Sequence, residues 1–189
     1  MKSLLQRMFV GVVLGILATS FAQAISFSAV TVVVGGPSSV TNVGTDGRAV
    51  SMPLFDQAGV GSNTATISYT VTASAGKYLS EILMQPNGSL EGGASLAISA
   101  VHVSSTTATL NQTEPSLTPA LLVGNATALS GQNTSLNVTM SLTLSGNSVD
   151  SYGKVSVMQF IYREQAVPEP ATMLALGSGL LALLKRRKK

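Results

Sequence analysis

Along residues 64–73, hydrophobic and polar side chains alternate without a break. Ala65, Ile67, Tyr69, Val71 and Ala73 fall on one side, and Thr64, Thr66, Ser68, Thr70 and Thr72 on the other. Successive side chains point to opposite faces of a strand, so this pattern predicts one buried face and one threonine ladder in water. Residues 135–145 repeat it, with Leu136, Val138, Met140, Leu142 and Leu144 inward and Asn137, Thr139, Ser141 and Thr143 outward. Residues 155–162 read as the strand that returns from it in an antiparallel hairpin, across a turn at residues 146–153.

Weaker strand signals fill the rest. Residues 25–34 begin as an alternation, become apolar on both faces, and stop at Gly35-Gly36-Pro37. Residues 38–47 are turn-rich. Residues 49–55 form a short strand weakened by Pro53, and residues 56–63 a glycine-containing loop. Residues 78–85 read as a strand ended by a Pro86-Asn87-Gly88 turn, with Glu91-Gly92-Gly93 continuing the loop. Residues 96–103 form the next strand, and residues 106–110 extend it past a bend. Residues 111–119 are a polar loop with two prolines, and residues 117–123 a short strand or half a helical turn. About seven or eight short strands with turn chemistry between them predict an all-β antiparallel sandwich, with a closed barrel as the alternative. No stretch of residues 25–166 carries a helical period of helical length, and no repeat recurs at a fixed period.

The two ends of the chain differ from its middle. Lys2 and Arg7 precede an apolar run over residues 8–17, followed by Ala22-Gln23-Ala24. A basic start, a short apolar stretch and a small-x-small site form a secretory signal peptide, with cleavage expected after Ala24. This implies Sec export and signal peptidase as partners. An uncleaved anchor is the alternative. At the other end, Pro168 and Pro170 keep Val167 and Glu169 out of the α region, so a helix can start only at or after Pro170. Residues 171–184 are free of charge and span about 21 Å as a helix. That is short of a bilayer core of about 30 Å. Lys185, Arg186, Arg187, Lys188 and Lys189 follow at once. They can snorkel to the headgroups and hold this end in the cytoplasm. An ordinary short core helix with a solvated basic tail has the same hydrophobic length.

The order of these parts narrows the choice. Val167-Pro168-Glu169-Pro170-Ala171, then the apolar run from Met173 to Leu184, then the basic cluster, resemble the PEP-CTERM sorting signal of exported Gram-negative bacterial proteins. The resemblance implies an inner-membrane intermediate and recognition of Val167, Pro168, Glu169 and Pro170 by the membrane protease exosortase. Removal of the tail would follow, then release or attachment at the cell surface or in the extracellular matrix. It also implies a biofilm or exopolysaccharide-associated role by association. The chain thus divides into a signal peptide (1–24), a β-domain (25–166) and a sorting signal (167–189).

Charge and composition now take on a different meaning. The whole chain carries +3. Residues 25–166 hold Arg48, Lys77, Lys154 and Arg163 against Asp46, Asp56, Glu81, Glu91, Glu114, Asp150 and Glu164, a balance of −3. The excess of positive charge belongs to the targeting tracts, and nucleic-acid binding is excluded for the domain. With no cysteine, the exported fold is held by packing alone, without disulfides, thiol nucleophiles or thiolate metal sites.

Candidate chemistry is sparse. His102 is the only histidine. It stands on the face shared by Leu96, Ile98 and Ala100 and reads as a strand residue near a sheet edge. The acids are scattered, with no calcium-loop spacing and no evident carboxylate pair. Gly35-Gly36 and Gly92-Gly93 precede no helix, so they are turns rather than phosphate loops. Five N-x-[ST] matches begin at Asn87, Asn111, Asn125, Asn133 and Asn137. They read as turn and solvent-face residues, with glycosylation the alternative. With no Trp and four Tyr, the chain offers no stacking platform for a sugar. The expectation is a non-enzymatic exported protein without cofactor or metal. The competing readings are an adhesin or ligand-binding module using loops at one end, a secreted hydrolase with two facing loop carboxylates, and a membrane-anchored periplasmic domain.

Overall fold

The structure, a computed structural model, describes residues 24–167. The signal helix and the membrane helix expected over 171–184 lie outside the described residues. So do Ala22, Pro168, Glu169, Pro170 and the basic residues 185–189.

Among the described residues there are thirteen strands: β1 (Ser26–Phe27), β2 (Thr31–Val33), β3 (Ser39–Val43), β4 (Gly47–Ser51), β5 (Asp56–Ala58), β6 (Gly61–Thr72), β7 (Lys77–Glu91), β8 (Ala94–His102), β9 (Ala108–Glu114), β10 (Ala120–Leu121), β11 (Asn125–Ala128), β12 (Ser135–Gly146) and β13 (Tyr152–Ala166). They form two antiparallel sheets. One runs β1-β6-β12-β8-β9, with β2 also on β6. The other runs β10-β7-β13-β4-β3, with β11 also on β7 and β5 on β13. The all-β, two-sheet expectation holds, and the barrel alternative falls. The count exceeds seven or eight because several edge strands have only two to five residues, too short for a period-2 signal.

The two best alternations are in place. β6 and β12 pair along twelve residues each, from Ser135 opposite Thr72 to Gly146 opposite Gly61. Their inward residues Ile67, Val71, Met140, Leu142 and Leu144 are fully buried or nearly so. They meet Ile82, Met84, Met158 and Phe160 of the other sheet in one core cluster. At about 25 cal/mol per Å2 of apolar area, this continuous core is the main stabilising term, as expected for a domain without cross-links.

Several expectations are corrected. β12 and β13 are not a hairpin: β12 pairs with β6 and β8, while β13 pairs with β7 and β4. The chain crosses from one sheet to the other between them. Pro86-Asn87-Gly88 is not a turn but the middle of β7, opposite Met158, Val157 and Val155 of β13. Gly88 is needed there for close approach, because a Cβ on it would lie 1.9 Å from the Lys154 carbonyl oxygen. Pro86 lies in the interval of β7 between its pairings with β11 and β10, where its missing N–H leaves no gap in a ladder with either. Residues 106–110 do not extend β8; residues 108–110 open β9, which doubles back on β8 and takes residues 111–114 of the expected 111–119 loop into the sheet. Residues 38–47 contain β3 and its tight hairpin to β4, and 56–63 contain β5 and the start of β6.

β13 carries a bulge at Ser156, where the register with β7 slips between Val155 and Val157. An extra residue shifts strand parity. Val155 therefore faces inward before the bulge and Met158, Phe160 and Tyr162 after it. Met52 N–H donates to Ser156 O at 2.8 Å, and Val155 N–H to Phe55 O at 3.0 Å, so the bulge is tied to the β4–β5 turn.

Candidate functional site

Three features stand out, at the core, at one end and on one face. In the core, His102 is 2% exposed at the end of β8, not at a rim. It shares its face with Leu96, Ile98 and Ala100 as expected. Its Nδ1 lies 2.9 Å from Thr106 O and its Nε2 2.9 Å from the Tyr162 hydroxyl, which in turn lies 2.9 Å from the Tyr69 hydroxyl. A carbonyl oxygen only accepts, so Nδ1 carries the proton and Nε2 is the acceptor. The chain of donors then runs Tyr69 O–H to Tyr162 O–H to His102 Nε2. Neutral imidazole satisfies every member. Burial pushes the His102 pKa down, against a smaller upward pull from the Thr106 and Ala100 backbone. Burial pushes both tyrosines up. Around them Tyr69 stacks on Phe160 with centroids 4.4 Å apart, and Arg48 sits 4.3 Å over Phe27. Both ring nitrogens of His102 are thus engaged, one by a carbonyl and one by a tyrosine hydroxyl.

At one end, the chain's two described termini come together. Ser26 pairs with Thr72, the last residue of β6, and Ala166 pairs with Lys77, the first of β7. Val167 N–H donates to Gly76 O at 3.0 Å. The sorting motif therefore begins with no slack after β13. A groove of about 560 Å3 lies at this end, lined by Ala24, Ile25, Asp46, Lys77, Arg163 and Glu164 among others. Glu164 accepts from Ser74 N–H at 2.5 Å and Ser74 Oγ at 2.8 Å, and pairs with Lys77 at 3.2 Å. Burial pushes its pKa up, but the Ser74 hydrogen bonds and Lys77 together outweigh this and hold it below the usual carboxylate range. Asp46 and Glu164 are thus two carboxylates in one groove, yet Glu164 is held ionised, the opposite of what a general acid needs. Among the described residues, no group of His, Asp or Glu could hold a metal ion.

The third feature is the outer face of the β6-β12-β8-β9 sheet. Thr66, Ser141, Ser99 and Thr109 stand side by side across four strands. So do Thr64, Thr143, Ala97 and Asn111, and likewise Ser62, Ser145, Ser95 and Thr113. Further along are Ser68, Thr139 and Val101, then Thr70 and Asn137, then Thr72 and Ser135. Some hydroxyls bond laterally, Thr70 Oγ1 to Asn137 Oδ1 at 2.8 Å and Thr72 Oγ1 with Ser135 Oγ at 3.0 Å. None of these positions is charged. The result is a grid of hydroxyls and methyls, about 4.8 Å apart across strands and about 6.8 Å along them. Of the expected asparagines, Asn111 and Asn137 stand on this grid, and Asn87 and Asn125 also lie in strands, not in turns.

The molecule is a two-sheet β-domain whose C-terminal strand runs straight into a sorting signal. Residues 166–189 match the family described as the PEP-CTERM protein-sorting motif, so this segment is a PEP-CTERM sorting motif and marks an exported protein. Such a motif entails passage through the membrane and processing by exosortase. No curated protein matches the chain. Among solved structures it is similar to TmCBM61 in complex with beta-1,4-galactotriose, with 17% sequence identity over 75% of this chain and 88% of that chain and a TM-score of 0.34.

Proposed function

We propose that the mature protein is a non-enzymatic matrix or cell-surface component whose uncharged outer face contacts neutral polysaccharide. Signal peptidase would remove residues 1–24, and exosortase the tail beyond the VPEP motif. The observation that carries this reading is the hydroxyl grid, which excludes every charge of the domain from the outer face of one whole sheet. Fixed hydroxyls and amides match the hydrogen-bonding groups of a neutral glycan, and the Thr and Val methyl groups match its C–H surfaces. The face has no charge to attract an acidic polymer and no aromatic platform, so contacts would be weak singly and additive over a long chain.

Co-sedimentation of the processed protein with insoluble neutral glucan and with alginate tests this. Retention on the neutral polymer, unchanged by raising salt, is expected, because no ion pairs are screened. Placing glutamates at Ser141 and Thr66 should weaken it by about tenfold or more, through desolvation of the new charges. Equal binding by that variant, or binding to alginate alone, would remove the proposal.

A second reading is kept by the absence of slack at Val167. An uncut chain would hold the domain against the membrane as a periplasmic tether. Intact mass of the protein from membrane and culture fractions separates the two: loss of both ends outside the cell supports release, and a retained C-terminus in the membrane supports the anchor.

A further inference from the structure

Hydrolysis of the Ala24–Ile25 bond, the maturation step on which this inference rests, adds water across the amide. Ala24 leaves with a carboxylate, and Ile25 keeps the nitrogen. That amine titrates near about 7.7–8.0 in an unfolded chain and is mostly protonated at neutral pH. The residue that bears it is already anchored in the domain before cleavage. Ile25 is 8% exposed and belongs to the core cluster, and Ser26 is fixed opposite Thr72. The titratable groups facing Ile25 across the end groove are Asp46, Lys77, Tyr162, Arg163 and Glu164. Four of these already have partners. Lys77 pairs with Glu164 at 3.2 Å, Arg163 with Glu81 at 2.9 Å, and the Tyr162 hydroxyl lies in the core network. Asp46, half-buried in the β3–β4 turn, makes no ion pair among the described residues. Its carbonyl accepts from Tyr162 N–H at 2.9 Å, which fixes the turn against β13.

We propose that the amine freed at Ile25 stays in this groove as an ammonium, with Asp46 as its counter-ion. Before cleavage the same nitrogen is a neutral amide, and Asp46 faces the groove without an ion-pair partner among the described residues. Removal of the signal peptide therefore adds an ion pair at the end from which the sorting motif leaves. A neighbouring carboxylate favours the charged amine. The amine's folded pKa then lies above its unfolded value. Its contribution is fully present below the unfolded value and is lost as pH rises through the folded one.

The test uses the full chain, exported with its own signal peptide and purified. N-terminal sequencing comes first. A start other than Ile25 overturns the maturation reading, and this inference with it. With Ile25 confirmed, the pH dependence of α-amine acylation is followed by mass spectrometry in the native protein. A midpoint above about 8 is expected, falling back in Asp46→Asn and staying raised in Glu164→Gln. Wild type and Asp46→Asn titrating together would overturn the proposal. A readout that needs no variant is the melting temperature after selective acylation of the α-amine. It should fall by about 2–4 °C at pH 6.5 and not at pH 10, and no fall at pH 6.5 would also overturn the proposal.

Discussion

Gly88→Ala is expected to abolish the folded state. A Cβ at this position would stand 1.9 Å from Lys154 O and 3.0 Å from the Val155 Cα, both backbone atoms of β13. The clash cannot be relieved by a side-chain rotation. β7 and β13 pair over fourteen or more residues and form the centre of their sheet, so moving them apart sacrifices ladder bonds and core contacts together. A loss of about 4 kcal/mol or more follows, in the range reserved for severe overpacking. Gly76→Ala is the control. Its φ is +75 with no atom near a new Cβ, so only the left-handed penalty of about 1 kcal/mol applies. Urea titration followed by circular dichroism reads both. A Gly88→Ala midpoint within experimental error of wild type would refute the close-approach account.

That glycine also marks the limit of what the sequence could tell. Pro-Asn-Gly has the residues of a turn, and nothing local distinguishes a turn from a strand whose partner approaches closely. The deciding fact is the carbonyl of Lys154, 66 positions away. The same holds for β12 and β13. Their alternations are visible, but a five-residue connection fits a hairpin and a crossing between sheets equally well, and only the core they share decides. The bulge at Ser156 hid the inward set of β13, since strict alternation groups Val155 with Val157 rather than with Met158 and Phe160. What local pattern does specify was legible: the faces of β6 and β12, the all-β class, the threonine ladder, and the sorting motif, whose identity lies in residue order alone. The groove at the end was not legible, because it joins Ile25, Asp46 and Glu164, which come from the segment before β1, the β3–β4 turn and β13 and meet only once the fold is formed. The buried network was half legible. Tyr69 and His102 both fall on inward faces, and inward polar tips must find partners; Tyr162 completes the set only once the bulge is known.

Tyr162→Phe removes the middle of that network and is expected to cost about 2–5 kcal/mol. The substitution keeps the ring and its packing but leaves two buried groups, His102 Nε2 and the Tyr69 hydroxyl, without the bonds they make at 2.9 Å. Each unsatisfied buried group costs about 1–3 kcal/mol. Tyr69→Phe removes only the terminal donor, leaving Tyr162 free to keep donating to His102, and should cost less than half as much. The same geometry sets an acid limit. The His102 pKa is lowered by burial, so the unfolded chain takes up a proton first as pH falls. Stability is therefore full above the unfolded value of about 6.5 and declines below it, towards the folded value. Glu164 acts in a separate and lower window: its pKa is also lowered, so its contribution is lost only as pH falls below the ordinary carboxylate range. Melting temperatures across this range should show the first decline in wild type and not in His102→Gln, which carries no titrating group. If His102→Gln follows the wild-type decline between pH 6.5 and 5, the neutral, doubly engaged imidazole is not what the core contains.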